Sequence, residues 1–339
     1  MEAMNKKKVL VTGASGFVGS TLATELARQG HEVRVLVRKT SKLRNLEAID
    51  IKPVVGDLRD PASLREAVRG VDTVFHVAGV ISSPNRETFF LHNAEGTENM
   101  ARAAAEEAKS GALGRFVYVS SLAAAGPPQR GKVRNENETP TPISNYGASK
   151  LAGEAALKEI GSALSSVVVR PPSVYGPRDR GIFTFFDIIN KGVIPLLGLE
   201  RPDPRRYSFV HVDDLVRGII AAGFASGPFS PGELFYVSGD GEYSWEETME
   251  MIAQGLEKKG LRVRLPIFAM RAAGALCSGI TKVSGKLMPL SLDKVNELEA
   301  IAWTCSNEKA KQVLGFKPYW GLEKGLRQTA RWYREHGWL

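Results

Sequence analysis

The sequence contains very little cysteine. Among 339 residues there are only two, Cys277 and Cys305, and neither has a second cysteine or a histidine at metal-ligand spacing. This scarcity excludes a disulfide scaffold, and we predict no zinc or other metal site. It is also typical of proteins in a reducing compartment, so we predict a cytoplasmic location.

Long apolar runs are missing as well. The basic residues 6–8 precede only three apolar residues, whereas a signal peptide needs an apolar stretch of about 7–15 residues. The longest nearly apolar window, residues 265–280, contains Pro266 and Arg271 and is shorter than the roughly 18 residues of a spanning helix. We predict no export signal and no transmembrane segment. The window forms either a helix of a substrate lid or a helix on a membrane surface.

Positively charged residues are only moderately more numerous than negatively charged ones. The 45 Lys and Arg residues outnumber the 37 Asp and Glu residues, which gives a net charge of +8. The basic residues form short clusters without the interleaved aromatic residues of a nucleic-acid surface. We therefore predict no nucleic-acid partner. One cluster, residues 38–44, lies where a cofactor phosphate is expected.

The first half of the sequence alternates regularly between strand and helix patterns. This alternation predicts an α/β fold, a Rossmann-type doubly wound parallel sheet with ligands at the carboxyl ends of its strands. Beyond residue 170, prolines and glycines crowd the chain and predict a smaller, irregular C-terminal substrate lobe. The predicted sheet domain is 1–170, joined by 206–238, and the lobe is 171–205 with 239–339. Strands are predicted at 9–11, 31–37, 52–55, 73–77, 116–119, 167–169, 209–212 and 234–237, and helices at 61–68, 88–108, 149–160, 214–225, 245–258 and 322–336.

A glycine-rich turn follows the first strand, where residues 12–19 read Thr-Gly-Ala-Ser-Gly-Phe-Val-Gly. Gly13 permits a tight turn, Gly16 lets the backbone approach a pyrophosphate, and Gly19 allows close packing of helix against strand. The N–H groups at the start of the next helix then face the phosphates. The predicted dinucleotide contacts are Gly13, Ser15, Gly16, Phe17 and Val18.

The end of the second strand predicts which dinucleotide binds. NAD enzymes place Asp or Glu there to accept a hydrogen bond from the ribose 2′-hydroxyl, but this chain has Val37 followed by Arg38. A guanidinium pairs with a 2′-phosphate and stacks on adenine, so Arg38, assisted by Lys42 or Arg44, favours NADP(H) over NAD(H). The alternative is that Arg38 is a solvated loop residue.

Two further strand ends supply cofactor contacts. After the third strand, Asp57, followed by Leu58, either accepts from the adenine amino group or caps the next helix or turn. After the fourth strand, Ala78 and Gly79 are small enough for the backbone to pass close to the cofactor. We assign His76 to the core.

A tyrosine and a lysine share one helix face. Tyr146 and Lys150 are four residues apart, so the phenol and the ammonium can occupy one site. A nearby ammonium lowers the tyrosine pKa from its ordinary value of about 10, which makes the phenol a better proton carrier at neutral pH. Ser120 and Ser121 end the fifth strand, where a hydroxyl either holds a substrate oxygen or caps the chain.

These motifs together resemble those of the extended short-chain dehydrogenase/reductase superfamily, also called the NAD-dependent epimerase/dehydratase family. The resemblance covers nearly the whole chain. It rests on T-G-A-S-G-F-V-G (12–19), G-D-L (56–58), H-V-A-G (76–79), N-A-E-G-T-E-N (93–99), V-S-S (119–121), Y-G-A-S-K (146–150), R-P-P-S-V-Y-G-P (170–177) and H-V-D-D-L (211–215).

The resemblance implies roles for individual residues. Tyr146 is similar to the family's catalytic acid/base, Lys150 to its partner, and Ser121 to the donor that holds the substrate oxygen. Asn93 would hold a water linked to Lys150. Within the motif at 211–215, Asp213 is predicted simply to be a helix N-cap. The residues implied to lie by the nicotinamide carboxamide are Pro171, Ser173 and Val174.

Departures from family patterns separate the reactions. Residues 121–123 read Ser-Leu-Ala, without the two carboxyl groups that 4,6-dehydratases carry there. UDP-sugar 4-epimerases usually have Asn and Arg where this chain has Ser173 and Tyr207. Val-Arg after the second strand and the motif at 170–177 are similar instead to dihydroflavonol-4-reductases and 3β-hydroxysteroid dehydrogenases.

We therefore predict an NADP(H)-dependent oxidoreductase that transfers a hydride between the nicotinamide and a ketone or secondary alcohol of a small-molecule substrate, an apolar ring system. Phe183, Phe185, Phe186 and the window 265–280 line its pocket or, alternatively, form only the lobe core. A nucleotide-sugar 4-epimerase is the alternative, and a catalytically silent NADP-binding regulatory protein is the third hypothesis. The resemblance also implies homodimerisation through helices 88–108 and 149–160.

Overall fold

The computed structural model describes residues 6–284, 288 and 290–339. The first half of the chain contains β1 (Lys8–Thr12), α1 (Phe17–Arg28), β2 (Glu32–Val37), β3 (Lys52–Val55), α2 (Pro61–Val68), β4 (Thr73–His76), α3 (Arg86–Phe90), a π-helical turn (Leu91–Glu95), α4 (Gly96–Ala108), β5 (Arg115–Val119), α5 (Leu122–Ala125), α6 (Asn145–Ile160), a 3-10 turn (Gly161–Ala163) and β6 (Ser166–Arg170). The second half contains β7 (Ser173–Tyr175), α7 (Phe183–Asn190), β8 (Val193–Leu197), β9 (Arg206–Tyr207), β10 (Phe209–His211), α8 (Val212–Phe224), β11 (Glu233–Tyr236), α9 (Trp245–Gly255), β12 (Leu261–Leu265), α10 (Ile267–Ser284), α11 (Leu292–Glu299), β13 (Ala302–Trp303), α12 (Glu308–Leu314) and α13 (Leu322–Glu335).

Seven strands form one parallel sheet in the order β11-β6-β5-β4-β1-β2-β3. The central strand β1 pairs Val11 with Val35 of β2 on one side and with Phe75 of β4 on the other. The chain reverses its direction of travel across the sheet between β1 and β4, and ligands of such sheets bind in the crevice at that point. The predicted doubly wound parallel sheet is confirmed.

Apolar side chains cover both faces of this sheet. One layer contains Leu22 of α1 and Ile219 of α8, and the opposite layer contains Leu64 of α2, Met100 of α4 and Leu157 of α6, all completely buried. Each such side chain contributes about 1.5–3 kcal/mol to the free energy of unfolding. The two layers hold the strand ends, and therefore the site, in fixed positions.

The C-terminal lobe has its own aromatic core. Phe183 and Phe186 contact the Tyr333 ring edge-on at centroid distances of 5.0 and 5.1 Å, and Phe185 contacts Trp245 at 4.9 Å. Of the two alternatives for these three phenylalanines, the structure favours lobe core over pocket lining. The exact division between sheet domain and lobe, and homodimerisation through helices 88–108 and 149–160, stay predictions.

One predicted helix is interrupted. The pattern predicted a continuous helix over 88–108, but α3 ends at Phe90 and a π-helical turn precedes α4. The turn contains Asn93, whose side chain forms hydrogen bonds outside the helix. π-Helical turns are often found at functional sites, where the extra residue redirects a side chain.

The predicted N-cap at Asp213 is wrong. α8 begins at Val212, and Nδ1 of the cap residue His211 accepts from the Asp213 N–H at 3.3 Å. The next carboxylate, that of Asp214, does not cap the helix either, because it forms hydrogen bonds to another part of the chain. Asp214 is buried and accepts from the N–H groups of Tyr319 and Trp320 at 3.0 and 2.9 Å, which fixes the chain before α13.

Within the described part of the chain, α10 included, no helix is both long and apolar enough to cross a membrane.

Candidate active site

The glycine turn lies at the carboxyl end of β1. Gly13 has a φ of +69°, and a Cβ there would be 2.7 Å from the backbone nitrogen of Ala78, so only glycine fits. Gly19 packs so tightly on Gly13 that a Cβ would be 2.3 Å from its carbonyl oxygen. Ser15 and Gly16 are exposed at the tip, while Phe17 and Val18 begin α1.

The start of α1 fits a phosphate. The N-cap is Gly16, and no described side chain caps the first-turn N–H groups. Other helices of this sheet have such caps, for example Asp60 for α2 and Ser144 for α6. An uncapped helix N-terminus behind a glycine turn suits the pyrophosphate of a dinucleotide, which would fill the same role.

A buried histidine aligns β1, β4 and α4. His76 Nδ1 is 2.8 Å from Thr12 Oγ1, and its Nε2 is 3.0 Å from Thr97 Oγ1. Complete burial lowers the pKa of His76 to about 3, so the imidazole is neutral. The Thr12 hydroxyl also accepts from the Ala78 N–H at 3.1 Å, which holds the Ala78–Gly79 backbone against the glycine turn. The structural assignment of His76 agrees with this geometry.

Tyr146 lies in the first turn of α6, with its phenol close enough to the Ser121 hydroxyl for Ser121 to influence its pKa. Burial raises the pKa of Tyr146 to about 12, with the Ser121 hydroxyl acting in the opposite direction. The expected lowering of this pKa by a nearby ammonium is therefore wrong for the chain alone, because the effect of burial is larger. Ser121 caps the short α5, and its Oγ accepts from the Ala123 N–H at 3.1 Å. That bond uses an oxygen lone pair and leaves the Ser121 O–H as a donor toward Tyr146 or a substrate oxygen.

Lys150 lies one turn along α6 from Tyr146 and is buried. Its Nζ donates to the Val119 carbonyl at 2.7 Å and lies 4.4 Å from the centre of the Tyr118 ring. Burial lowers the pKa of Lys150 to about 7, although the negative charge of Glu154 opposes that shift. The amine therefore changes charge close to neutral pH.

Asn93 and Lys150 meet over Gly79. A Cβ on Gly79 would be 3.0 Å from Asn93 Oδ1 and 3.5 Å from Lys150 Nζ. Asn93 Oδ1 accepts from the Val80 N–H at 2.8 Å, and Nδ2 donates to the Val80 carbonyl at 2.9 Å and to Ser149 Oγ at 3.0 Å. Nδ2 has therefore used both hydrogens, and Oδ1 keeps one lone pair for a further donor. The water link to Lys150 stays a prediction.

Sequence reasoning missed a buried ion pair on the same helix face. Glu154 lies one turn beyond Lys150, and its carboxylate accepts from Arg170 Nε at 2.8 Å and Nη2 at 2.5 Å, and from Ser120 Oγ at 2.5 Å. Arg170 also donates to the Tyr236 hydroxyl at 3.0 Å. The pair fixes α6 against β5, β6 and β11. The sequence signal for Glu154 was its spacing, because a residue eight positions after Tyr146 lies on the same face of the helix.

A cleft of about 470 Å³ lies at the carboxyl ends of β2 and β3. Arg38 and Asp57 line it, as does Arg59, which sequence reasoning did not select. Lys42 and Arg44, predicted to assist, are not among the described residues that line it. The cleft therefore presents two guanidinium groups instead of the single one predicted.

Asp57 is already paired within this cleft. Arg59 donates to its carboxylate from Nε at 3.0 Å, from Nη2 at 3.2 Å and from the backbone N–H at 2.9 Å. These bonds and the positive charges of Arg59 and Arg38 hold the pKa of Asp57 down at about 2. Asp57 thus caps a turn, whereas Asp60 is the N-cap of α2. Leu58 packs under Gly96 of α4.

The remaining predicted cofactor contacts follow β6. Pro171 is buried and its carbonyl accepts from the Leu122 N–H at 2.8 Å, which places it beside the Ser121 turn. Ser173 is exposed and Val174 is half-buried, both in β7. Tyr207, at the position where epimerases carry Arg, is buried in the lobe core and packs against Phe209 and Trp245.

α11, which packs against α10, adjoins the start of α6. The lid role of residues 265–280 stays a prediction. Ser144 caps α6 by accepting from the Gly147 N–H at 3.0 Å, and its hydroxyl donates to Glu297 of α11 at 2.8 Å. The Asn145 N–H donates to Asp293 of α11 at 2.8 Å. Two carboxylates of α11 therefore hold the helix turn that carries Tyr146.

Comparisons with known proteins agree with this geometry. A sequence model of the NAD dependent epimerase/dehydratase family matches residues 9–227. The chain is 35% identical to a ceramide reductase of Caulobacter vibrioides, over 98% of this chain and 96% of the relative. It is 28% identical to a 3-beta-hydroxysteroid dehydrogenase of Mycolicibacterium neoaurum, over 97% and 92% of the two chains.

Solved structures share the fold over nearly the whole length. The crystal structure of gox2253 superposes with a TM-score of 0.79 at 28% identity, covering 98% of this chain and 99% of that one. MoeE5, solved with UDP-glucuronic acid and NAD, superposes with a TM-score of 0.76 at 24% identity, covering 97% and 99%. The matches confirm the resemblance and the predicted class of enzyme. The chain is an oxidoreductase that belongs to the NAD-dependent epimerase/dehydratase family, whose members bind a nicotinamide cofactor.

Proposed function

We propose that this enzyme transfers a hydride between NADP(H) and a ketone or secondary alcohol carried by an apolar lipid. The observation that carries the proposal is the contact of the Tyr146 hydroxyl with Ser121, one helical turn from the Lys150 ammonium. Two hydroxyl donors at one point are what a carbonyl oxygen needs as it gains negative charge. When bound, the reduced nicotinamide supplies the hydride.

In the reductive direction, Tyr146 is the proton donor. With a pKa raised by burial it holds its proton at neutral pH and can deliver it as the substrate oxygen becomes an alkoxide. Ser121 donates a second hydrogen bond to the same oxygen. Lys150 then returns a proton toward Tyr146, and Asn93 orients the water that resupplies Lys150. In the oxidative direction each proton moves the other way.

The preference for NADP(H) is supported by the two guanidinium groups in the cleft at β2 and β3. Arg38 and Arg59 both line it, and the carboxylate of Asp57 that neutralises part of this charge is engaged by Arg59. An anionic 2′-phosphate suits such a cleft. A ribose 2′-hydroxyl needs an acceptor, and Asp57 is occupied. The contact of Asp57 with the adenine amino group stays a prediction.

The apolar substrate is supported by similarity to a ceramide reductase and to a steroid dehydrogenase, each along nearly the whole chain. The predicted apolar ring system is thereby widened to include a long-chain lipid. A nucleotide-sugar 4-epimerase is the alternative, since structures with the same fold hold UDP-sugars. Against it stands the buried Tyr207, which leaves no guanidinium at the position that epimerases use for the pyrophosphate.

The deciding experiment measures NADPH oxidation by the purified protein with three substrates: a ceramide whose secondary alcohol has been oxidised to a ketone, a steroid ketone, and UDP-glucose. Products are identified by mass spectrometry. We expect net oxidation with the ketolipid or the steroid ketone. Interconversion of the UDP-sugar in the presence of NAD+ or NADP+, without net change in the cofactor, would establish the epimerase instead, because an epimerase first takes a hydride from the sugar and then returns it. NADPH binding without any reaction would support the third hypothesis, a catalytically silent NADP-binding regulatory protein.

Replacing Tyr146 tests the assigned proton donor. Tyr146→Phe removes only the hydroxyl, so kcat should fall by about 100-fold or more while the Kd for NADPH changes by less than about twofold. Tyr319→Phe is the control, because that phenol is exposed. Loss of NADPH binding in Tyr146→Phe would mean that the hydroxyl is structural.

A further inference from the structure

We infer that the exposed face of α10 docks on an anionic phospholipid bilayer and so brings the active site to a lipid substrate. The inference deepens the proposed function and rests on it for the lipid nature of the substrate. It is carried by an apolar helix face that the described residues leave uncovered, by the basic edge of that face, and by the link from α10 through α11 to the start of α6.

One face of α10 is apolar and exposed. Phe268 is 74% exposed, Leu276 66% and Ile280 41%. Steps of four residues, with small residues between them, put these side chains on one slanted stripe of the helix. Large apolar side chains are ordinarily scattered singly on a protein surface, and a contiguous patch marks an interaction site. We define this patch, the α10 face, as Phe268, Ala272, Ala275, Leu276, Gly279 and Ile280.

The opposite side of α10 is fixed to the protein. Gly274 is buried so closely that a Cβ there would be 2.7 Å from Val295 Cγ2 of α11. Ser278 Oγ accepts from the Leu292 N–H at 3.0 Å, and Thr281 is buried. Because these contacts set the rotation of the helix, the α10 face points away from the protein.

The charge of α10 favours a negatively charged partner. The helix contains no Asp or Glu, whereas Arg271 and Lys282 are both exposed. They are eleven residues apart, which is about three helical turns, so they lie along the same edge of the α10 face. Arg271 is 3.4 Å from Glu299, an exposed pair that water and salt weaken. An apolar stripe with a basic edge is the pattern of helices that lie in the surface of an anionic bilayer.

α10 is linked through α11 to the helix of the proposed proton donor. α10 packs on α11, and Asp293 and Glu297 of α11 hold Asn145 and Ser144, directly before Tyr146. Docking through α10 would therefore bring α11, and with it the start of α6, close to the bilayer surface. No described helix can cross the bilayer, so attachment through this face is peripheral and reversible.

The test is sedimentation of the full chain with vesicles, without substrate or cofactor. Vesicles of equal parts phosphatidylglycerol and phosphatidylcholine are compared with phosphatidylcholine alone, at low and high salt. We expect the wild type to sediment with the anionic vesicles and to be released by salt. F268D/L276D should reduce the bound fraction by about fivefold or more. The control is Val313→Asp on α12, an apolar position that is 49% exposed and lies outside α10, and this variant should bind as the wild type does.

Retained NADPH binding shows that each variant is folded. If F268D/L276D fails to fold, Phe268→Trp with brominated lipids gives a second measurement. Its fluorescence should be quenched more than that of the wild type or of Val313→Trp. Wild-type protein that stays in the supernatant with anionic vesicles, or F268D/L276D that binds as well as wild type, overturns the inference. A dimer that F268D/L276D abolishes would assign the face to a second copy, which also overturns it.

The binding measurement is independent of turnover. Vesicle binding by a protein that reduces no ketone would leave the inference standing and refute the proposed function. If the protein reduces a ketolipid dispersed in detergent but does not bind vesicles, the proposed function stands and the inference is refuted.

Discussion

At the scale of single residues, the proposed NADP(H) cleft at β2 and β3 contains two arginines that play unequal parts. Arg38 comes directly after β2 and lines the cleft. Arg59 also lines the cleft, but its guanidinium is paired with the carboxylate of Asp57. A charge-assisted pair to phosphate is stronger than a neutral hydrogen bond. Arg38 should therefore contribute more to recognition of a 2′-phosphate than Arg59.

Replacing these arginines should separate the two cofactors. Arg38→Asp is expected to raise the Kd for NADPH by about 10–100-fold while changing the Kd for NADH by less than about threefold. Arg59→Gln should weaken NADPH binding by a smaller factor. Binding is measured by fluorescence titration, with Arg28→Gln on α1 as a control because that side chain is exposed. Equal losses for both cofactors in Arg38→Asp would remove Arg38 from the phosphate site.

Residue by residue, the sequence predicts what depends on local spacing and misses what depends on distant partners. The requirement for glycine at position 13 and the one-turn spacing from Tyr146 to Lys150 can be recognised from a few neighbouring residues. Arg59 was missed because its turn back onto Asp57 depends on the geometry after β3. Glu154 and Arg170 lie on different elements, and nothing local indicates that they meet in the interior.

At the scale of elements, the histidine between β1, β4 and α4 makes their alignment sensitive to acid. His76 is neutral in the folded chain because burial lowers its pKa to about 3, whereas in the unfolded chain it titrates near its ordinary value of about 6.5. The unfolded state therefore binds more protons between these two values. Stability is complete above the unfolded pKa and falls as the pH drops toward the folded one.

The expected loss for this one histidine is about 2 kcal/mol of unfolding free energy between pH 7 and pH 5. His76→Asn should be less stable at neutral pH, but its unfolding free energy should decrease less over that interval. Urea denaturation at the two pH values measures both. His336→Gln is the control, because that ring is exposed and should leave the wild-type slope unchanged. An identical slope in His76→Asn would show that other groups cause the acid sensitivity.

Elements differ in how well the sequence predicts them. The strands of the parallel sheet are short apolar runs buried on both faces, so their pattern is strong, and β1, β2, β4 and β5 lie where predicted within a residue or two. The π-helical turn at Leu91–Glu95 was not predicted, because a helical pattern does not reveal an inserted residue. The start of α8 was missed because Asp214 is committed to the backbone of the chain before α13.

At the scale of the whole molecule, the lobe reaches back to the catalytic helix through two carboxylates. Asp293 accepts from the N–H and the side-chain amide of Asn145, and Glu297 accepts from Ser144. The negative charge of Glu297 also contributes to the raised pKa of Tyr146. α11 therefore influences both the position and the protonation of Tyr146, although it is separated from that residue by almost half of the chain.

Removing both carboxylates should affect substrate more than cofactor. The double variant D293A/E297A is expected to lower kcat/KM for the ketone by about tenfold, because the turn that carries Tyr146 loses hydrogen bonds that contribute about 0.5–1.5 kcal/mol each, and to leave the Kd for NADPH unchanged. Steady-state kinetics and fluorescence titration provide these values. Asp293→Asn keeps an acceptor oxygen and should remain close to wild type. Equal weakening of NADPH binding would mean that α11 supports the whole fold instead of the substrate side.

The shared bonds between α11 and the start of α6 also limit how the substrate range of this enzyme can change. A wider entrance made by loosening α11 would disturb the turn that holds Tyr146, so selectivity and rate would decline together. Changes in α10 do not disturb this turn directly, because the exposed face of α10 contacts none of the proposed catalytic residues. Natural or engineered divergence toward bulkier substrates should therefore accumulate changes in α10 while Ser144, Asp293 and Glu297 stay as they are.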